Sequence, residues 1–214
     1  MHPPRTLTTV SSSILIAAVL VAIVTIGGLQ WRSRFVVADA GFWFDRVTFA
    51  LPPGDTARLG GPITDEEKAR IVSTAESELR TAFAGLRIAF SDHPDAFYRV
   101  LVVQESSNDL AAGESHVLRP LGGRGSVSFV TLALMAIHHA PVQADRSTVI
   151  DGIGRGIGRS AAHEFAHQLL PDVNIDKSRD DHSYEFGSSD RAAQYYEPMH
   201  WDIARPAMLK TFGR

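Results

Sequence analysis

The chain has 214 residues, 44% of them hydrophobic and 21% charged, which is the composition of an ordinary globular domain. Its net charge of −3 gives no reason to expect a nucleic-acid partner. The chain contains no cysteine, which excludes disulfides, thiolate metal ligands and a cysteine nucleophile.

The N-terminus carries an apolar run that predicts a membrane anchor. Residues 14–29 contain no charged side chain, and their flanks extend the run to the roughly 20 residues that a spanning helix needs. We predict a tail at residues 1–13, a single-pass transmembrane helix at 14–31, a linker at 32–45 and a globular domain at 46–214. The alternatives are a cleaved signal peptide, because Ala38-Asp39-Ala40 fits a small-x-small cleavage site, and a buried helix of a soluble protein.

Two sequence features disagree about the orientation of this anchor. Arg5 precedes the span, whereas Arg32, Arg34 and Arg46 follow it, and by the positive-inside rule this favours a cytoplasmic globular domain. Short N-terminal tails of signal anchors, however, usually stay in the cytoplasm. On that ground we expect an extracytoplasmic domain.

The region after the anchor predicts an α+β fold. A capping box at Thr64–Glu67 starts a helix whose apolar residues repeat every four positions, from Ile71 up to a stop at Gly85. Strand-like runs of β-branched and aromatic residues flank this helix. These runs are residues 47–51, 86–90, 98–103 and 126–135.

Histidines and glycines precede the strongest motif of the chain. Because neighbouring residues of a strand point to opposite faces, His138 and His139 cannot bind one ion there. Together with His116 they are expected in loops or in the core.

Residues 152–158 have glycine at alternate positions, but match neither phosphate-binding pattern. We expect these glycines to let the next helix approach the sheet closely, or to delay its start until about Arg159.

Residues His163-Glu164-Phe165-Ala166-His167 spell H-E-x-x-H within an apolar stretch that predicts a helix. On a helix, positions i and i+4 share a face, so both imidazoles can reach one ion. Zinc accepts imidazole nitrogen and takes three protein ligands at catalytic sites. Glu164 can then accept a proton from a water molecule beside the metal. The motif predicts a zinc site, and its alternative is a pair of surface histidines.

With this helix the chain resembles the zincin metallopeptidases, mainly over residues 158–201. The resemblance implies that His163 and His167 bind zinc, that Glu164 is the general base, and that the substrate is a peptide or protein. It also implies a zincin-like fold for residues 46–214, with a small mixed sheet, an N-terminal helix and the H-E-x-x-H helix. In that clan an extended substrate pairs with the edge strand of the sheet, which would be residues 126–132 here. A strand covered within its own sheet is the alternative.

The third zinc ligand does not follow directly from the resemblance. The metzincin consensus requires a glycine and a third histidine where this chain has Leu170 and Val173. In gluzincins a glutamate about 19 or 20 residues after the second histidine binds the metal, and Glu185 follows His167 by 18 residues. We therefore predict Glu185 as the third ligand. The alternatives, both chemically acceptable to zinc, are His182 and Asp181.

Residues 172–181 carry oxygen-bearing side chains at alternate positions, as at the start of a calcium loop. An EF-hand also needs glycine at position six and glutamate at position twelve, where this chain has Lys177 and Ser183. This excludes an EF-hand. A different calcium site is an alternative to a solvated loop.

Polar aromatic residues near the C-terminus are candidates for stabilising the oxyanion of a tetrahedral intermediate. They are Tyr195, Tyr196 and His200. Alternatively, the tyrosines bury their rings in the core. Met199 follows a proline and is a candidate for the methionine turn of metzincins, with core packing as the alternative.

Together these features predict a membrane-anchored zinc peptidase that hydrolyses peptide bonds with metal-activated water. The alternative is a non-catalytic metal-binding or interaction module of zincin fold at the cell envelope. Glu164 favours the enzyme, because a structural zinc ion needs no base.

Overall fold

The computed structural model describes residues 38–105, 112–117 and 122–213. The predicted tail and transmembrane helix lie outside these residues. Within the described part of the chain, no helix is long and apolar enough to cross a membrane. These residues form a mixed α/β structure with a five-stranded sheet and six α-helices.

The strands and helices alternate irregularly along the chain. The strands are β1 (Ala38–Phe44), β2 (Ile88–Ser91), β3 (Tyr98–Val103), β4 (Gly113–Val117) and β5 (Gly123–Ser128). The helices are α1 (Pro53–Arg58), α2 (Asp65–Ala82), α3 (Phe129–His138), α4 (Arg146–Leu169), α5 (Ala193–Tyr196) and α6 (Ala204–Phe212), with a 3-10 turn at Ile175–Lys177.

The sheet has the strand order β2-β1-β3-β5-β4. β1 pairs in parallel with β2 and β3, and β3 pairs in parallel with β5. β4 pairs with β5 in the antiparallel direction, with Ser115 opposite Gly125. β2 and β4 are therefore the two edges of the sheet as described. The buried side chains of Val100 and Val102 from β3 lie at its centre, in the main hydrophobic core.

The linker and the first strand were placed wrongly from sequence. Residues 38–44, assigned to the linker, form β1 inside the sheet. Residues 47–51 form no strand, because Phe49 has a positive φ of 60°. The side chain of Gln104 instead accepts a hydrogen bond from Thr48 N at 3.0 Å and donates one to Ala50 O at 2.8 Å. A glutamine amide thus takes the place of a neighbouring strand.

The expected edge strand at residues 126–132 is also wrong. Ser126–Ser128 end the interior strand β5, and the chain then turns into α3. The hydroxyl of Ser128 accepts a hydrogen bond from Thr131 N at 3.2 Å and so caps the helix. The buried residues of α3 recur with helical spacing, which a continuous apolar run conceals. They are Phe129, Leu132, Ala133 and Ala136. The edge strand beside α4 is β4.

Helix α2 confirms the predicted capping box. The Thr64 hydroxyl accepts a hydrogen bond from Glu67 N at 3.3 Å, and the Glu67 carboxylate accepts one from Thr64 N at 2.9 Å. Ile71, Ala75 and Leu79 are all buried, so the predicted apolar stripe faces the core. This stripe positions α2 along α4.

Helix α4 is much longer than expected. It begins at Arg146, where Asp145 caps Thr148 N at 2.7 Å, rather than near Arg159. The glycines lie within the helix and admit its neighbours. An added Cβ at Gly158 would lie 2.3 Å from the carbonyl oxygen of Ala75 in α2. Close packing against neighbouring elements, rather than a late start of the helix, explains these glycines.

Candidate metal centre and cleft

The last two turns of α4 bring His163 and His167 together, as the helical spacing predicts. Their Nε2 atoms lie 3.1 Å apart, and the ring centroids lie 4.7 Å apart at an interplanar angle of 79°. Both rings are half-buried, whereas the neighbouring Phe165 and Ala166 are fully buried in the core. The core thus fixes the helix and leaves the two imidazoles accessible.

Asp176 completes a group of three donors. Its Oδ1 atom lies 3.2 Å from His163 Nε2 and 3.5 Å from His167 Nε2. Asp176 sits in the 3-10 turn after α4, and the adjacent Ile175 is fully buried and anchors that turn. The donor atoms of the three residues all lie within 4.8 Å of one another. Two imidazole nitrogens and a carboxylate oxygen are a donor set that suits zinc.

A backbone carbonyl orients the first histidine. His163 Nδ1 lies 2.7 Å from the carbonyl oxygen of Tyr184. Because a carbonyl oxygen only accepts, Nδ1 carries a proton, and in the neutral ring the Nε2 lone pair would face the other two donors. Such outer hydrogen bonds fix the tautomer of metal-binding histidines.

The environment of the three donors sets their protonation. Burial lowers the pKa of His167, and the charge of His163 lowers it further. Contact with the His163 ring holds the pKa of Asp176 below the ordinary aspartate range. Burial also opposes protonation of His163, but Asp176 and the negative charge of Glu164 raise its pKa overall. His167 and Asp176 are therefore in the forms that a metal ligand needs.

Glu164 lies beside this group and is only 7% exposed. Burial raises its pKa to about 7, with the charge of His163 opposing the rise and those of Asp176 and Glu114 adding to it. An added Cβ at Gly113 would lie 2.6 Å from Oε1 of Glu164. The glycine at the start of β4 therefore leaves the space that this carboxyl group occupies.

A cleft of about 770 Å³ runs over the two histidines. The edge strand β4 forms one wall, together with Thr131 and Met135 of α3, and residues 186–190 contribute to its lining from the chain after Tyr184. Glu164 and Asp176 both reach this space. The cleft is large enough for several residues of an extended chain.

Gln168 fixes the end of α4 against the sheet. This buried side chain accepts a hydrogen bond from Arg99 N at 3.1 Å and donates to Arg99 O at 2.9 Å. Its amide also donates to Ser115 Oγ of β4 at 3.0 Å, and that hydroxyl donates to the Glu164 carbonyl at 3.1 Å. The residue after His167 thus ties the motif to both a central strand and the edge strand.

Glu185, the predicted third ligand, has a different place. It is fully buried, and its carboxylate accepts hydrogen bonds from Asp202 N at 2.5 Å, Ile203 N at 2.7 Å and also Ala204 N. The Ser183 hydroxyl donates to it at 3.1 Å. Glu185 therefore caps the start of α6, and the structure brings Asp176 to the histidines instead.

His182 and Asp181, the alternative ligands, belong to a separate surface group outside the cleft lining. His182 contacts Asp181 at 2.8 Å and Glu197 at 2.8 Å through its two ring nitrogens. The contact with Glu197 raises the pKa of His182. His200 joins this group through Asp180, at 3.0 Å. None of these side chains meets His163 or His167 among the described contacts.

The predicted oxyanion donors also lie outside the cleft lining. Tyr195 is fully buried, and its ring fills the space above Gly156. The Tyr196 hydroxyl donates to the carbonyl of Ala136 at 2.5 Å, and its ring packs against Gly152. Tyr195 thus buries its ring and Tyr196 is half-buried against the core, which agrees with the alternative interpretation. His200, in the surface group, contacts Asp180.

Sequence reasoning missed Asp176 and the strand β4. Asp176 follows His167 by nine residues, a spacing that neither zincin branch has. It also lies within residues 172–181, for which the sequence predicted a solvated loop or a calcium site. Its nearest sequence signal is the isolated apolar Ile175 in that acidic stretch. β4 reads Gly-Glu-Ser-His-Val, which lacks the apolar alternation of a half-buried strand.

Comparison with known proteins adds no relative. Neither a scan against models of known protein families nor searches of curated proteins and of solved structures found a match for this chain. A function therefore has to follow from the residues of the site.

Proposed function

We propose that this domain is a zinc-dependent peptidase in which His163, His167 and Asp176 hold the metal and Glu164 is the general base. One observation carries the proposal: three donor atoms converge at the cleft beside a buried carboxyl group that has no ligand role. The orientation of His163 by a backbone carbonyl and the chemistry of the donor set both support zinc.

A zinc ion held by His163, His167 and Asp176 would polarise the scissile carbonyl and lower the pKa of the attacking water. The chain itself must then present two neutral imidazoles and an ionised carboxylate. The lowered pKa values of His167 and Asp176 favour those forms, whereas His163, with its raised pKa, would release its Nε2 proton when a metal binds.

Glu164 transfers the proton. Its carboxylate accepts a proton from the attacking water while the water oxygen bonds to the carbonyl carbon. The same proton then passes to the amide nitrogen as the carbon–nitrogen bond breaks. In the described part of the chain, the Glu164 carboxyl group forms neither a hydrogen bond nor an ion pair, so it is available for this task.

The edge strand β4 positions the substrate. Within the described sheet no strand pairs with its outer side, so its peptide groups are available to an extended peptide. Gln168 and Ser115 hold this strand against α4, which keeps the peptide and Glu164 in register.

We extend the proposal to a relationship with the zincin metallopeptidases. The H-E-x-x-H helix and the antiparallel edge strand beside it support this relationship, whereas an aspartate nine residues after the second histidine departs from both branches. The anchor expected at residues 14–31 would hold the peptidase at a membrane. A non-catalytic module is disfavoured, because a structural metal site has no use for a buried base.

The test is a single substitution at the base. Glu164→Gln in the full-length, zinc-loaded chain should retain one zinc ion and lose hydrolysis of a quenched peptide library by about 10³-fold. Glu76→Gln is the matched control, because Glu76 only pairs with Arg80 on the surface of α2. Hydrolysis that survives Glu164→Gln, or a wild-type chain that takes up no zinc, would contradict the proposal.

A further inference from the structure

The described lining of the cleft carries an excess of negative charge. It contains four carboxylates and two histidines, but no lysine or arginine. The carboxylates are Glu114, Glu164, Asp176 and Asp190. A divalent cation would balance the charges of Glu164 and Asp176, which leaves Glu114 and Asp190 to be explained.

Among the described residues, Asp190 has an ion-pair partner, whereas Glu114 has none. Asp190 Oδ1 lies 2.8 Å from His139 Nε2. Glu114 forms no ion pair with any described residue, and its only hydrogen bond is a long one of 3.4 Å from Ser126 Oγ. Its carboxylate therefore contributes little to the stability of the sheet.

Glu114 carries this charge on the strand that would pair with substrate, and it lines the cleft. Its side chain lies beside Ser126 on the face of the sheet opposite to Gly113, where alternate side chains of an added strand would lie. Its negative charge also acts on Glu164. A cleft lined by charges of one sign concentrates ligands of the opposite sign.

We propose that Glu114 makes the cleft select peptides with a lysine or arginine side chain beside the scissile bond. This inference rests on the proposed peptidase function. A guanidinium or ammonium group would neutralise Glu114, and arginine can bind a carboxylate through two parallel hydrogen bonds. The competing explanation is a solvated charge that keeps the edge strand from pairing with other chains.

The test compares matched peptides that differ at one position, with arginine, glutamine or glutamate next to the cleaved bond. For the zinc-loaded, full-length wild-type chain, kcat/KM should be about tenfold higher for arginine than for glutamine, and lowest for glutamate. Higher ionic strength should reduce this ratio. Glu114→Gln should bring the arginine-to-glutamine ratio close to one, whereas Glu114→Asp should retain part of it.

Glu66→Gln is the control, because Glu66 is exposed on α2 and should leave the ratio unchanged. An unchanged ratio in a folded Glu114→Gln protein, or a wild-type preference for glutamate, overturns the inference. Calorimetric binding of the same peptides to zinc-loaded Glu164→Gln separates this inference from the peptidase proposal. Arginine-dependent binding without hydrolysis by the wild type would overturn the peptidase proposal and support the role of Glu114. If neither arginine-dependent binding nor hydrolysis is observed, the peptidase proposal and the role of Glu114 are both overturned.

Discussion

Asp176 and Glu185 are two carboxylates from one segment of the chain with opposite surroundings. The Asp176 side chain is 55% exposed and faces two imidazoles, whereas Glu185 is fully buried and accepts three backbone hydrogen bonds. A buried carboxylate that satisfies orphan N–H groups at a helix start contributes to folding. An accessible one beside histidines is suited to a cation.

This contrast gives a prediction for a pair of variants. Asp176→Ala should lower zinc affinity by about 100-fold or more, because it removes one of the three proposed ligands. Glu185→Gln should keep the zinc stoichiometry but lower the free energy of unfolding by about 2 kcal/mol, since it weakens charge-assisted hydrogen bonds. Competition with a chromophoric chelator and urea denaturation measure the two effects. The opposite pattern would make Glu185 the ligand.

At the scale of residues, spacing along the sequence predicted the contacts that lie within a single helical turn. His163 and His167 are one helical turn apart, so their convergence followed from the sequence. The third donor depends on how the chain reverses after α4, which no fixed spacing encodes. The sequence therefore favoured Glu185, which has nearly the gluzincin spacing, whereas the 3-10 turn after α4 places Asp176 beside the histidines.

The glycines of α4 show how packing between elements overrides helix propensity. Gly154 and Gly158 face α2, where an added Cβ at Gly154 would lie 2.6 Å from the Cβ of Thr74. Gly152 and Gly156 face the rings of Tyr196 and Tyr195. Each glycine costs the helix about 1 kcal/mol relative to alanine, but a larger residue would push its neighbours away.

Alanine substitution distinguishes these contributions. Gly158→Ala should lower the free energy of unfolding by about 2 kcal/mol, because its Cβ would lie 2.3 Å from a backbone oxygen that cannot move freely. Gly54→Ala in α1 is the control, since an added Cβ meets no atom within 4 Å there, and it should be neutral or slightly stabilising. Urea denaturation gives both values. Equal stability of the two variants would rule out the steric explanation.

At the scale of elements, segments whose apolar residues repeat with one clear period were predicted correctly. Segments without a clear period were not. Helix α2 has both a cap and a regular apolar stripe, and it was found nearly in full. Residues 129–135 are apolar except for Thr131, so neither period stands out, and the predicted strand over residues 126–135 is mostly the helix α3. The glycines of α4 were expected either to let the helix approach the sheet or to delay its start. They instead make room for α2 and for two tyrosine rings.

One ion pair connects the first turns of α2 and α4. Arg146 Nε lies 2.6 Å from Oε1 of Glu67, and its Nη2 lies 2.8 Å from Oε2. The same guanidinium donates to the carbonyl of Pro62 at 2.7 Å. The hydrogen bond from Arg146 lowers the pKa of Glu67 to about 2, against the effect of burial.

This pair predicts acid sensitivity of the whole molecule. Because the folded-state pKa of Glu67 is depressed, its contribution is present above the ordinary glutamate pKa, near 4.5, and is lost as pH falls towards about 2. After allowance for solvent screening we expect a contribution of about 1–2 kcal/mol at neutral pH. Glu67→Gln should therefore be less stable than wild type at pH 7, and the difference should shrink between pH 4.5 and pH 3. A constant difference in chemical denaturation across this range would contradict the assignment.

The strand order of the sheet was beyond the reach of sequence reasoning. β1 lies between β2 and β3, although 43 residues of chain, including α1 and α2, separate Phe44 from Ile88. Parallel pairing over such distances depends on crossover geometry rather than on local patterns. The mixture of helices and strands was expected, whereas the largely parallel sheet and its edge strand became visible only in the structure.

A helix with four glycines between residues 152 and 158 has little tendency to form alone, so the order of α4 depends on what surrounds it. The imidazole pair at its other end is consequently brought together only after α2 and the two tyrosines have closed around those glycines. Under the proposed peptidase function, newly synthesised copies would stay inert until they are folded. The glycines that weaken α4 would in this way protect the nascent protein from self-cleavage.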